Sequence, residues 1–141
     1  MMLTLAAAAT IIEEAFIEAG KRSLKPLTIV VLDPGGHPIA LQRQDGSSIL
    51  RPEIAIGKAA GALALGVSSR KIGEMATERP TFIASVAGLA PRGVIPAAGG
   101  VIILDAAGAV LGAIGVTGDT SDNDEACALA GIEAAGLQTQ D

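Results

Sequence analysis

The sequence predicts an α+β domain, an antiparallel sheet with helices packed on it. Two pairs of strand-like runs, at 27–43 and 100–118, are each joined by a glycine-bearing turn, and stretches of helical period stand before, between and after them. Hairpins and helices segregated in this way favour an antiparallel sheet over βαβ units. With 141 residues the chain forms one domain, residues 1–141, large enough for a hydrophobic core without disulfides or a structural metal.

In order along the chain, Leu5, Ala8, Ala9, Ile12, Phe16 and Ala19 recur at helical spacing opposite Glu13, Glu14 and Glu18, which predicts an amphipathic helix over 4–20. Thr4 is placed to cap it and Gly20 to end it. Ile11 and Ile17 fall off the stripe and are candidates for subunit contacts. Residues 27–33, LTIVVLD, and 38–43, PIALQR, read as strands around the Pro34-Gly35-Gly36 turn, with His37 at the hairpin tip. Pro52 opens a helix, PEIAIGKAAGALALG, that is apolar nearly all round and therefore packed on both sides. Ser68 or Ser69 caps a short helix, and Pro80 breaks it. Two strands around an Asp105–Gly108 turn follow, and a last helix runs from near Ser121 to about Leu137. There is no internal repeat, linker or low-complexity tail.

Half of the residues are apolar but only 1% are aromatic, so the core is built from Ala, Val, Ile and Leu at close spacing. Lys58 and Asp105 interrupt the longest apolar runs before they reach the roughly 18–20 residues of a spanning helix. The N-terminus lacks a basic segment and runs into Glu13 and Glu14, unlike a signal peptide. A soluble, cytoplasmic protein with no membrane partner is expected, with the surplus apolar surface used in a homo-oligomer. A net charge of −5 argues against nucleic acid, whose phosphates call for a basic patch. One cysteine, Cys127, excludes an intrachain disulfide and a cysteine-based zinc site, and a single histidine, His37, leaves little material for the usual metal clusters or a Ser/His/Asp arrangement.

Several residues stand out chemically. His37 is an exposed turn residue or a ligand or acid/base group. Arg43, Asp45 and Gly46 end the second strand, where a turn accounts for them as well as a function does. Arg51 and Lys58 are seven apart and share a helix stripe. A lysine in so apolar a helix must snorkel, pair with a carboxylate or face a polar cavity, because burial without a partner is costly. Gly112, Gly115 and Gly118, with the Gly99-Gly100 pair, imply close helix packing or a side-chain-free ligand wall. Asp119, Asp122, Asp124 and Glu125 crowd the start of the last helix, where carboxylates cap free N–H groups and complement the dipole. Met75 and Phe82 read as packing residues, and Cys127 as an inert core thiol.

Four of these pieces, in order, resemble the GlcG/HbpS family, the haem-binding or haem-degrading domain also found at the C-terminus of PduO-type proteins. They are VVLDPGGHPIALQRQDG, the Ile56–Ala62 helix with its Lys-Ala, AAGGVIIL, and GAIGVTG with the downstream NDEACALAGIEA. Val101 and Ile102 stand where the family has x-Pro. The resemblance spans nearly the whole chain. It implies profilin-like α/β/α layers around a five-stranded antiparallel sheet, a homo-oligomer that is often an octamer, and haem or tetrapyrrole binding, many members sitting in catabolic operons. It makes Arg43, Asp45, Lys58, Gly99, Gly100, Asp124 and Glu125 motif positions. An axial haem ligand would come from His37, Met75, Cys127 or Thr117.

Two functional expectations follow. In one, haem or another small anionic, carboxylate-bearing ligand lies in a cleft near Lys58, Arg43 and the Gly99-Gly100 loop, with His37, Asp124 and Glu125 as further binding residues. In the other, a cofactor-independent isomerase, tautomerase, hydratase or decarboxylase uses Asp45 as general base and Lys58 or Arg43 to hold a substrate carboxylate or developing enolate.

Overall fold

The computed structural model describes residues 1–140. Ten elements follow one another: α1 (Leu5–Arg22), β1 (Thr28–Leu32), β2 (Pro38–Arg43), α2 (Arg51–Leu65), α3 (Ser69–Glu78), α4 (Pro80–Ala87), β3 (Gly100–Leu104), β4 (Val110–Thr117), α5 (Ser121–Ala134) and β5 (Gln138–Thr139). The strands form one antiparallel sheet in the order β2-β1-β4-β3-β5. Each hairpin is formed as its turn residues require, and β1 and β4 join the two hairpins at the centre.

Period-two alternation divides the sheet between two helical layers. Ile29, Val31, Val101, Ile103, Ile114 and Val116 share a core with α1 and α5, while Val30, Leu32 and Ala113 pack against Ala55 and Ala59 of α2. Both faces are covered, and this explains the apolar run Ile29–Leu32 that fills β1 after Thr28, all of it buried. The result is the expected α/β/α layering around five antiparallel strands. Among the described residues no helix is long and apolar enough to cross a membrane.

Four local expectations change. Thr4 caps α1, its Oγ1 accepting the Ala7 N–H at 3.1 Å, but the helix runs past Gly20 to a left-handed Ser23 whose N–H bonds the carbonyls of Ala19 and Gly20. Its buried face is Ala8, Ile11, Ile12, Ala15 and Ala19, whereas Leu5 is 64% exposed. The reason is α5: Gly131 lies against the Ile11 carbonyl, so the close helix crossing draws Ile11 inward and removes it from the subunit-contact candidates. Ile17 stays exposed. Pro80 does more than break α3, since it opens α4, and α5 stops at Ala134 so that the chain adds β5 at the sheet edge.

The sheet glycines are packing devices. Val30, Gly115 and Gly100 form one register row across β1, β4 and β3 on the α2 face. A Cβ on Gly115 would collide with the Ala55 carbonyl, and one on Gly100 with the Lys58 carbonyl. Helix α2 therefore lies with its backbone almost on the sheet, and its other side receives Ile95 at Gly57 and Val94 at Gly61.

Candidate functional site

Helix α2 carries Arg51 and Lys58 to two consecutive residues of β4. Arg51 Nη1 donates to Thr117 Oγ1 at 2.8 Å, and Lys58 Nζ donates to the Val116 carbonyl at 2.9 Å and to Asp124 Oδ2 at 3.2 Å. Asp124 completes its set by accepting the Asp119 N–H on Oδ1 at 3.0 Å. Burial lowers the Lys58 pKa and raises that of Asp124, each against the mutual attraction and hydrogen bond that favour the charged forms. Of the three options open to a lysine in this helix, the structure realises the carboxylate pair.

The cleft expected between Lys58 and the Gly99-Gly100 loop is closed. Gly99 lies directly over the Lys58 side chain and Gly100 over its backbone carbonyl, so α2 and β3 leave no room for a ligand between them. Gly100 is further tied by its N–H to Ser69 Oγ at 2.7 Å. Lys58, Asp124, Gly99 and Gly100 do come together, but as a packed polar core.

The acids at the start of α5 have partners other than the helix end. Thr120 is the N-cap, its Oγ1 accepting the Asn123 N–H at 3.3 Å. Asp122 and Glu125 both engage Arg70 of α3, Glu125 at 2.9 and 3.1 Å, which ties the two helical layers across the sheet end. Asp119 accepts from Asn123 Nδ2 and from the backbone N–H groups of Lys25 and Thr120, and these bonds pull its pKa down to about 2. The expected carboxylate caps are thus mostly tertiary ties, and a threonine does the capping.

Arg43 and Asp45 are exposed and line a separate polar cavity of about 200 Å³ with Gln44, Gly46 and Ser47. Asp45 and Lys58, the pair that proton-transfer chemistry would call on, do not share it. His37 lines a third space, an apolar pocket of about 330 Å³ between the β1–β2 turn, the Ala60-Leu63-Ala64 face of α2 and the Ala90–Gly93 segment. Asp33 shapes this turn by accepting the N–H groups of Gly35 and His37 at 2.9 and 3.0 Å, and the imidazole lies over Gly35. Arg92 is at the rim. Neither ring nitrogen of His37 bonds a protein group among the described residues. Sequence reasoning missed Arg92 and the Ala60–Ala64 wall. The available signal was the Pro91-Arg92-Gly93 turn and the Ala/Leu side of a helix apolar nearly all round.

Met75 is half-buried near the α3–α4 contact, and Cys127 and Thr117 are buried. Desolvation raises the Cys127 thiol to about 11, so it stays protonated in neutral solution.

A family model described as haem degrading protein HbpS-like matches residues 3–133. The chain belongs to the HbpS-like family. Among solved structures, this HbpS-like chain is similar to a PduOC–haem complex at 18% identity and TM-score 0.88, with all of both chains covered. It is similar to Klebsiella pneumoniae protein ORFY at 24% identity and TM-score 0.83, over 94% of this chain and 90% of that one. HbpS itself aligns at 28% identity and TM-score 0.81, over 94% of this chain and 89% of the other. No curated protein matches in sequence.

Proposed function

We propose that this chain binds haem, or another flat tetrapyrrole bearing carboxylates, in the pocket beneath His37. One observation carries the reading. Of the four donors the sequence offers, His37, Met75, Cys127 and Thr117, His37 lines the apolar pocket, at the tip of a turn held by Asp33. Neutral imidazole is a haem ligand, and Ala60, Leu63 and Pro91 give the pocket apolar walls for a macrocycle face. Arg92 at the rim supplies the cation that a propionate needs. Membership of the HbpS-like family and the likeness to a haem complex support the choice of ligand.

When bound, haem would supply the redox or oxygen chemistry; the residues of this chain bind it, orient it and hold its carboxylate. A pocket of about 330 Å³ is at the small end of ligand sites, so one edge of the macrocycle would project from it. A second copy of the chain would cover that edge. Leu89, 83% exposed beside the pocket wall, is suited to such a contact, in keeping with a homo-oligomer.

The test is titration of hemin, and in parallel of metal-free protoporphyrin, into the purified protein. A saturable Soret shift near one equivalent is expected, lost or moved in His37→Ala and weakened several-fold in Arg92→Gln. Protoporphyrin binding should survive His37→Ala, because it needs the walls and Arg92 but no iron ligand. Absence of a Soret shift removes the haem reading.

A further inference from the structure

We infer that a second site, independent of the His37 pocket, binds a small oxyanion between Arg43 and Arg51. The strand register puts Arg43, Thr28 and Thr117 in one row across β2, β1 and β4. Directly opposed residues of antiparallel strands present their side chains on the same face. That face is the α2 side, because Thr28 shares its strand face with Val30 and Leu32, and Thr117 receives Arg51 from the first turn of α2. Two strand spacings, about 10 Å, separate the ends of the row, a span that two arginine side chains close from either side.

Three further features favour an anion there. Among the described residues neither guanidinium is paired with a carboxylate, a state they share with Arg79 and Arg92 but not with Arg22 and Arg70, and this leaves Arg43 and the rest of the Arg51 fork open to an anion. Thr28, in the middle of the row, is 0% exposed, and its Oγ1 is buried with no hydrogen-bond partner. A buried hydroxyl without an acceptor is uncommon, and an oxyanion oxygen would satisfy it. Finally, α2 begins here with Leu50 in the N-cap position and no side-chain cap; the Arg51 N–H goes to the Ser48 carbonyl and Pro52 has none, which leaves the Glu53 N–H as the first-turn donor open to an anion.

The cavity beside Arg43 is lined by residues 43–47, so a ligand seated in it must reach out of it toward Arg51 and Thr28, and its size limits the ligand. At about 200 Å³ it takes a phosphate or a small carboxylate. Asp45 in its wall repels a bare anion but accepts a hydrogen bond from a hydroxyl, so the best fit is an oxyanion that also carries an O–H: hydrogen phosphate or a hydroxy-carboxylate.

Isothermal titration with inorganic phosphate, lactate and propionate at constant ionic strength tests this. Phosphate or lactate should bind saturably, lactate at least tenfold more tightly than propionate, which lacks the hydroxyl. Arg43→Gln and Arg51→Gln should each weaken binding at least tenfold, and Thr28→Val several-fold. Melting curves without ligand identify any variant that fails to fold, and Arg51→Lys, keeping the charge, should retain part of the affinity. Hemin titration of Arg43→Gln should match the parent protein, which separates this site from the His37 pocket. The inference is overturned if none of the three anions binds saturably, or if folded Arg43→Gln and Arg51→Gln bind as the parent does, with Thr28 then satisfied by water.

Discussion

The ammonium of Lys58 and the carboxylate of Asp124 lie 3.2 Å apart, with side chains only 4% and 2% exposed. They join the helix on one face of the sheet to the start of the helix on the other. Removing one partner leaves a buried charge alone, whereas removing both leaves a neutral gap. Lys58→Met or Asp124→Asn alone should therefore cost about 3–5 kcal/mol of folding stability, and the double variant should recover a large part of the loss. Urea unfolding of the four proteins gives the coupling. Losses that simply add would mean that the two groups do not act as a pair.

Glycines on the α2 face should divide sharply by what stands in front of them. Gly115→Ala places a methyl against the Ala55 carbonyl, backbone that is held by the helix, so the loss should reach at least the upper part of the 1–3 kcal/mol range for overpacking. Gly20→Ala is the control. It lies inside α1 with open space around it, and alanine there should stabilise by about 0.5–1 kcal/mol. Denaturant midpoints of the two variants moving in the same direction would contradict this account of the sheet glycines.

What could be read from the chain alone followed from how local each signal is. The hairpins, the turn residues and the α2 start were legible because turn chemistry and hydrophobic period act over a few residues, and β2 has the expected bounds of Pro38–Arg43. The face of α1 was misplaced because Ile11 is drawn inward by Gly131, 120 positions along the chain. The same holds for the site. The chain alone brings Lys58 and Arg43 to one cleft, whereas sheet register puts Arg43 in the Thr28 row and Asp124 takes Lys58, pairings set by residues far apart in sequence.

Asp119 should give the protein an acid limb. Its hydrogen bonds from Asn123, Lys25 and Thr120 hold the folded-state pKa at about 2, below the unfolded value of a free aspartate. Between those two values the unfolded chain binds more protons at this site than the folded one, so stability rises with pH there. The contribution is full above about pH 4 and is lost as pH falls toward 2. Asp119→Asn removes this titration, so its melting temperature should differ from the parent's most at neutral pH and converge with it at low pH. A parent-to-variant difference that is constant from pH 7 to pH 2 would show that Asp119 does not titrate as described.

Cys127 should be silent until the protein unfolds. It belongs to the core shared by α1, α5 and the sheet, it is fully buried, and desolvation raises its thiol to about 11, so both access and thiolate are lacking near neutrality. A disulfide reagent added to the native protein at pH 7.5 should label the thiol at least a hundredfold more slowly than it labels the same thiol in denaturant, the roughly hundredfold figure following from the thiolate fraction alone. Because labelling must then wait for opening of the α1–α5 contact, Gly131→Ala, which drives a methyl toward the Ile11 carbonyl, should speed it. Fast labelling of the native parent would place the thiol at the surface and would also return Cys127 to the set of donors available to haem.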